Sequence, residues 1–466
     1  MRRSPGFRLF LAGLVAAVLL IPLLMVYGVV SDRQHQARVA QDTITQGSGG
    51  PQVVSGPVLV IPHRVDRTVS ETVDGQQVQR TQTVREDIFL SPVAQSLDTA
   101  LEPERKRKAI YETVIYLADM QGRARFELPD DLDRYGVTRE NLLLDEAQIR
   151  FGVSDPRGLR AVADVRIGGE AIDLKPGEGL AASGGAGFHG FVDWSAGEPL
   201  VVQYAYTLRG SRTVTFVPRG GQTDWQVASA WEHPGFGGSF LPDDSTIDKD
   251  GFEARWSIGN LALGQSMVMR QDLGMPVPDE RMPIAIEVSG PDGARATAPS
   301  KAATIDLVEP ADIYAQVDRS VKYGFLFIGF TFLAYLMFDI VGGARVAPAE
   351  YLLTGVGLVL FFVLLLAFAE VVGFTIAYLI ASAAIIGLLT SYAAAVLKSW
   401  RRAGMMGGLL VGLYAALYVL LSLEAFSLLI GSLLLFAALA AIMYGTRNID
   451  WSSVTGQDAE DEPHNA

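Results

Sequence analysis

Three carboxylates, Asp339, Glu370 and Glu424, stand among the long apolar stretches of the last third of the chain. Ionisable groups in such surroundings face protein or water, where they can hold a cation or relay a proton. Val363–Glu370 parallels Leu417–Glu424 at a separation of 54 positions, which suggests a duplicated helical hairpin with the two glutamates in equivalent places. Each glutamate is expected in a turn just before a returning helix, where the positive end of the helix dipole favours a carboxylate. The sharper reading is an ion- or proton-handling pair at the mouth of a helix bundle. Asp339 lies toward the inner end of its apolar stretch, within reach of the interface.

A second set of residues lies in Ser229–Pro242, where Trp231, His233, Phe236 and Phe240 are interleaved with Gly and Pro. They form either a partner-binding surface or a packed plug at the edge of a β-sandwich. Glu232 and His233 are neighbours, and on a strand they point to opposite faces, which speaks against an acid–base pair. The chain contains no H-E-x-x-H, G-x-S-x-G or phosphate-loop pattern. It has no Cys, and its five His (35, 63, 189, 233, 464) are scattered without metal-ligand spacing. No enzymatic activity, cofactor or metal is expected. A net charge of −13 argues against a nucleic-acid partner.

The elements that must position these residues divide into two regimes. Leu9–Ser31 is an uncharged stretch of 23 residues, long enough to cross a bilayer, and reads as an uncleaved signal anchor. Five further apolar stretches, 323–343, 351–369, 373–397, 403–422 and 426–446, complete a six-helix transmembrane topology of one plus five. Lys and Arg are retained on the cytoplasmic side. Arg2, Arg3 and Arg8, then Arg345, then Lys398, Arg401 and Arg402, then Arg447 all fall on one side. Both termini are therefore expected in the cytoplasm, with residues 1–8 as a short N-terminal arm and 447–466 as a disordered acidic tail. Gly404, Gly408 and Gly412 recur every fourth position and are expected to pack helices together within the monomer.

Residues 32–321 are the exported part. A polar helical stalk, 31–45, leads into short runs of β-formers punctuated by Gly and Pro, such as Gln52–Ile61, Tyr111–Leu117 and Leu200–Leu208. These predict a large mainly-β, sandwich-like periplasmic domain inserted between the first two helices. The Gly-rich stretch Lys175–Gly190 is the expected long loop or boundary between two lobes, near 175–190.

The sequence resembles the CreD family of inner-membrane proteins. The resemblance rests on Arg107-Lys108-Ala109-Ile110-Tyr111-Glu112, Gly152-Val153-Ser154-Asp155-Pro156-Arg157-Gly158 and Trp231-Glu232-His233-Pro234 through Phe240-Leu241-Pro242 with Gly251-Phe252. It continues in Asp318–Gly324, Leu423-Glu424 and Met443–Trp451; it departs at Asp339, where the family pattern has Glu, and in the long acidic tail. The resemblance implies the inner membrane of a Gram-negative bacterium, a two-component regulon, and roles in envelope integrity, stress response and colicin tolerance. It implies no catalytic residues. Two functions follow as expectations. One is a non-enzymatic envelope-integrity factor whose exported domain binds an envelope protein, glycan or lipid. The other is a transporter or channel using Glu370 and Glu424.

Overall fold

A computed structural model describes residues 5–73, 76–108, 111–272, 301–307, 313–340 and 347–422, with scattered positions between 429 and 447. The chain forms two compact units, one of Met1–Val39 with Ala311–Ala466 and one of Ala40–Pro310.

The second unit is built on β-strands whose side chains alternate between core and solvent, as a half-buried strand requires. Its strands are β1 (Gln52–Val73), β2 (Gln76–Leu90), β3 (Ala94–Lys108), β4 (Tyr111–Phe126), β5 (Ala147–Val153) and β6 (Leu159–Ile167). There follow β7 (Glu170–Ala171), β8 (Leu174–Pro176), β9 (Gly187–Val192), β10 (Leu200–Ser211), β11 (Thr213–Val217) and β12 (Gln222–Ser229). The last are β13 (Pro234–Gly238), β14 (Asp244–Asp248), β15 (Gly251–Gly259), β16 (Val268–Met269) and β17 (Ala303–Leu307). One sheet runs β13-β17-β11-β1-β5-β9-β8, with β2 on β1 and β16 on β2. The other runs β14-β15-β12-β3-β4-β10-β6-β7.

The sheets face each other across an aromatic core. Phe216 of the first packs on Trp225 of the second at 5.2 Å between ring centres, and Phe151 meets Tyr204 edge-on at 5.2 Å. Within the second sheet, Trp225 stacks on Trp256 at 4.5 Å and donates its indole N–H to Thr99 Oγ1 at 3.0 Å. Burial lifts the Tyr204 phenol well above its ordinary range, while its hydroxyl accepts a bond from Gln95 Nε2.

The stretch Lys175–Gly190 does not separate two lobes. It holds β8, a short helical turn and the start of β9, and β8 and β9 pair antiparallel inside the first sheet. Its glycines serve close approach: a Cβ on Gly179 would collide with the Ala186 carbonyl.

The other unit is helical. Its helices are α1 (Pro5–Gln46), which runs on past Val39, then α3 (Ile313–Lys322), α4 (Gly324–Ile340), α5 (Pro348–Val372), α6 (Phe374–Val396) and α7 (Trp400–Ser422); α2 (Asn260–Leu263) belongs to the β unit. Among the described residues, four helices are long and apolar enough to cross a membrane: Phe10–Gln46, Pro348–Val372, Phe374–Val396 and Trp400–Leu421. The second expected span corresponds to α4, 17 residues long, and the last, 426–446, lies largely outside the described residues. Val317 and Val321 of α3 and Val30 of α1 sit in the helical core, so both flanks of the expected exported region belong to this unit.

α1 joins the bundle through Ala12, Leu19, Leu23, Val26 and Val30, spaced along one helical face. Small residues let it in: Gly324 faces Leu23 and Phe362, and a side chain on Gly355 would collide with Leu19. At the centre, Phe361 meets Tyr414 at 4.6 Å, and the Tyr378 hydroxyl donates to the Tyr414 carbonyl at 2.7 Å. α5 starts on Pro348, where the Glu350 carboxylate accepts the Ala347 N–H at 2.6 Å.

Trp225→Ala is expected to cost roughly 3–5 kcal/mol by opening a cavity between the sheets. The check is the thermal midpoint of the β unit by near-ultraviolet dichroism of the full chain in detergent. An unchanged midpoint would contradict this account of the core.

Candidate functional site

In the helical unit Asp339 and Glu370 fall on different helices, α4 and α5. Glu370 lies in the last turn of α5, before Gly373, and so at the negative end of that helix rather than the positive end of the next. The dipole disfavours a carboxylate there, so the helix-start role expected for Glu370 is corrected. Two groups compensate: Arg33 Nε of α1 lies 3.9 Å from Glu370 Oε1, and the Tyr314 hydroxyl of α3 donates to the same oxygen at 3.3 Å. Glu370 is largely buried, at 16% side-chain exposure. Alongside, Lys322 pairs with Asp318 at 2.6 Å and lies 5.9 Å from the ring centre of Tyr27. The polar end of the bundle is thus a set of matched charges linking α1, α3 and α5.

Asp339 falls on α4, one residue before its end. Glu424, and with it the expected equivalence to Glu370, lies outside the described residues. Gly404, Gly408 and Gly412 are on α7, yet none would bring a Cβ within 4 Å of another group among the described residues. Among the described residues the close approach on α7 is made by Gly407, whose Cβ would sit 2.8 Å from Thr390 Oγ1 of α6. One residue is about 100° around a helix, so the contact face and the glycine stripe differ.

In the β unit the aromatic segment turns inward. Trp231 is 8% exposed, with its indole N–H on the His233 carbonyl at 3.1 Å and Arg105 at 5.4 Å from its ring centre. Phe236 meets Phe252 and Trp256 edge-on at 5.7 and 5.8 Å. Phe240 packs against the same core, and its carbonyl accepts the Trp256 indole N–H at 3.2 Å. These rings do not form an exposed aromatic patch, which corrects that reading of Trp231, Phe236 and Phe240. Phe236 and Phe240 fix the segment to β15, because a flat ring against the core gains area at little entropic cost. What it leaves outside is His233, with 52% of its side chain exposed, and Leu241, 65% exposed. Ile247 of β14 is 50% exposed beside a shallow groove lined by Ser229, Thr246, Asp248, Asp250 and Glu253. Among the described residues β13 and β14 each pair on one side only, so both sheets end here in a free edge.

A buried polar clasp centres on Gln52, which the sequence marks only as the start of a run of β-formers. Gln52 Nε2 donates to the carbonyls of Gly49, Asp155 and Arg209, the last two at 3.3 and 3.2 Å. Its Oε1 accepts from Ser154 Oγ and Asp155 N, each at 3.2 Å. Gly49 and Gly158 make room, since a Cβ on either would run into the Arg209 carbonyl. Arg157 grips the Asp155 carboxylate through Nε at 2.9 Å and Nη2 at 2.7 Å, holding its pKa below the usual carboxylate range. No group of three His, Cys, Asp or Glu is placed to hold a metal among the described residues.

The clasp occupies Gly152–Gly158, one of the blocks that carried the sequence resemblance. A family model described as "Inner membrane protein CreD" matches residues 4–452. The chain belongs to the CreD family. It is 33% identical over 442 residues to "Inner membrane protein CreD" of Escherichia coli (strain K12), covering 93% of this chain and 91% of that one. Two CreD sequence blocks thereby gain a physical reading here, Gly152–Gly158 as the clasp and Trp231–Pro242 as an inward-facing anchor. Their signal in sequence was glycine at both ends of the first and aromatics between glycines in the second.

Gly158→Ala is expected to destabilise the β unit by about 1–3 kcal/mol through overpacking. Gly237→Ala, with nothing within 4 Å of its Cβ, should be near neutral. Equal thermal midpoints for the two would refute the clasp. For the bundle, a double-mutant cycle of Arg33→Gln and Glu370→Gln in detergent melts should return a coupling of about 0.3–1 kcal/mol, as for a partly exposed pair. A coupling of zero would leave Glu370 without its assigned partner.

Proposed function

We propose that this CreD-family protein is an envelope-integrity factor of the inner membrane that acts by binding, not by catalysis. Its β unit stands on the periplasmic side, the termini face the cytoplasm, and six helices anchor it. The Lys and Arg placed after alternate apolar stretches support that orientation. The observation that carries the binding role is the corner where β13 and β14 end the two sheets. There a segment nailed down by Phe236 and Phe240 holds His233, Leu241 and Ile247 outward. A rigid base under exposed apolar and polar groups is what a docking surface needs, because little order has to be imposed on binding. The partner is an envelope component, protein, glycan or lipid, met through this corner.

A transporter using Glu370 and Glu424 is the second reading, and the Arg33–Tyr314–Glu370 set argues for a structural glutamate instead. Glu370→Gln with Glu424→Gln should therefore leave the envelope phenotype intact wherever the protein still accumulates in the membrane.

Leu241→Asp with Ile247→Asp touches exposed positions only and is expected to leave the thermal midpoint unchanged while abolishing complementation of a deletion strain. Photo-crosslinking from position 241 in living cells should trap a partner. Full complementation by the double variant would remove the corner from consideration.

A further inference from the structure

A hydroxyl on an apolar helix ordinarily satisfies itself by donating back to a carbonyl three or four residues earlier. Ser320 does so to the Gln316 carbonyl at 2.9 Å, Ser382 to Leu379 at 3.2 Å and Ser391 to Leu388 at 2.8 Å. Thr331 of α4 and Thr354 of α5 do not. Both are at 0% exposure, and neither hydroxyl has a hydrogen-bond partner among the described residues. The Tyr335 hydroxyl of α4, on a residue 1% exposed, likewise has none.

The three groups lie at one level of the bundle. α4 and α5 run antiparallel, with Phe327 against Phe362 at 6.4 Å and Tyr335 against Tyr351 at 5.9 Å between ring centres. Thr331 is one turn before Tyr335 on the same face of α4, and a tyrosine on a helix leans back over that turn. Thr354 is one turn after Tyr351, and its hydroxyl neighbours that of Tyr335 without closing a hydrogen bond. Phe332 of α4 walls one side, 5.3 Å from Tyr351 and 3.1 Å from where a Cβ on Gly355 would stand. One turn along α5 from Thr354, Gly357 packs on Leu389 of α6. Next to Leu389, the Thr390 hydroxyl is again without a partner among the described residues.

What satisfies these groups follows from their chemistry. Each hydroxyl donates one hydrogen bond and accepts two. A cation held among neutral groups in lipid would be left unpaired and costly. Glu350, one turn before Thr354, has its carboxylate engaged by the Ala347 N–H at 2.6 Å. The occupant is therefore small, neutral and able both to donate and to accept. A buried water makes about three hydrogen bonds to otherwise unsatisfied groups, which matches Thr331, Tyr335 and Thr354. We infer that these hydroxyls hold a small cluster of ordered water inside the bundle, bridging α4 to α5. At the Phe327 level the two helices meet through rings, and at this level through water. The site belongs to the helical unit alone, so it does not rest on the docking corner of the β unit.

X-ray radiolysis of the full chain in phosphatidylcholine nanodiscs reads such water, because hydroxyl radicals form from it and oxidise the side chains it touches. Tyr378 is the internal control. It is as buried as Tyr335, 2% against 1% exposed, but its hydroxyl is taken by the Tyr414 carbonyl at 2.7 Å. Peptide mass spectrometry is expected to show Tyr335 oxidised severalfold faster than Tyr378. Thr331→Val with Thr354→Val keeps the shape, removes two of the hydroxyls and should bring Tyr335 down to the rate of Tyr378. Thr354→Ser alone, which keeps its hydroxyl, should retain the fast rate. Equal rates at the two tyrosines in the unaltered protein would overturn the inference, and that comparison needs no variant to fold. So would fast oxidation of Tyr335 that survives the double valine variant, which assigns it to solvent entering from the membrane surface. A double variant that melts higher than the parent would do the same, since it marks the threonines as dry and merely unsatisfied.

Discussion

The amide of Gln52 is the point on which the β unit turns. It is the first residue of β1, the 22-residue strand that pairs with β2, β5 and β11. Its side chain satisfies three carbonyls and two donors from segments far apart in sequence. A strand shifted by one residue turns its core face to solvent. Anchoring the start of β1 by a buried polar group guards against that slip, because every displaced partner would be left unsatisfied at about 1–3 kcal/mol each. The register of one strand then sets the register of three neighbours.

The same logic governs the helical unit. Glu370 stands where the backbone field opposes it, and Arg33 and Tyr314 tie it to α1 and α3. The first helix is therefore more than a tether. It is packed through Leu19 and Leu23 against glycines of α5 and α4, and it is charge-matched at its polar end. In both units a polar group from an early segment selects the partner of a late one.

Much of this architecture was readable in the chain. Apolar length marked α5, α6 and α7, because a run of that size has few other uses. Alternation marked β10, where Val202, Tyr204, Tyr206 and Leu208 all face the core. Direction was harder to read. Aromatics between glycines can point either way, and only the opposing Phe252 and Trp256 decide it for Phe236. Among the described residues the close contact on α7 is made by Gly407, one residue away from the stripe of glycines at 404, 408 and 412, since periodicity gives spacing and not phase. Glu370 was misplaced by three residues, enough to exchange one end of a helix dipole for the other. Gln52 carried no signal, because nothing distinguishes a glutamine that starts a strand from one in solvent until its partners are known. The Gly-rich stretch near 180 read as a boundary because close backbone packing and a flexible linker draw on the same residue.

The parallel pairs of the β unit have a consequence for how the chain is made. Gln52 of β1 lies opposite Val214 of β11, and Ala94 of β3 opposite Gln222 of β12. β17, from Ala303 to Leu307, then slots between β11 and β13. Contacts between such distant residues form late, since the intervening chain must close before they repay its entropy. A ribosome working at roughly 5–20 residues per second leaves β11 without its outer neighbour until nearly the whole domain has been synthesised. The strand that seals the first sheet is also the one made just before α3 begins. Completion of the domain and the start of the second set of helices are thereby placed in a fixed order, with open strand edges needing protection until the last of them is covered.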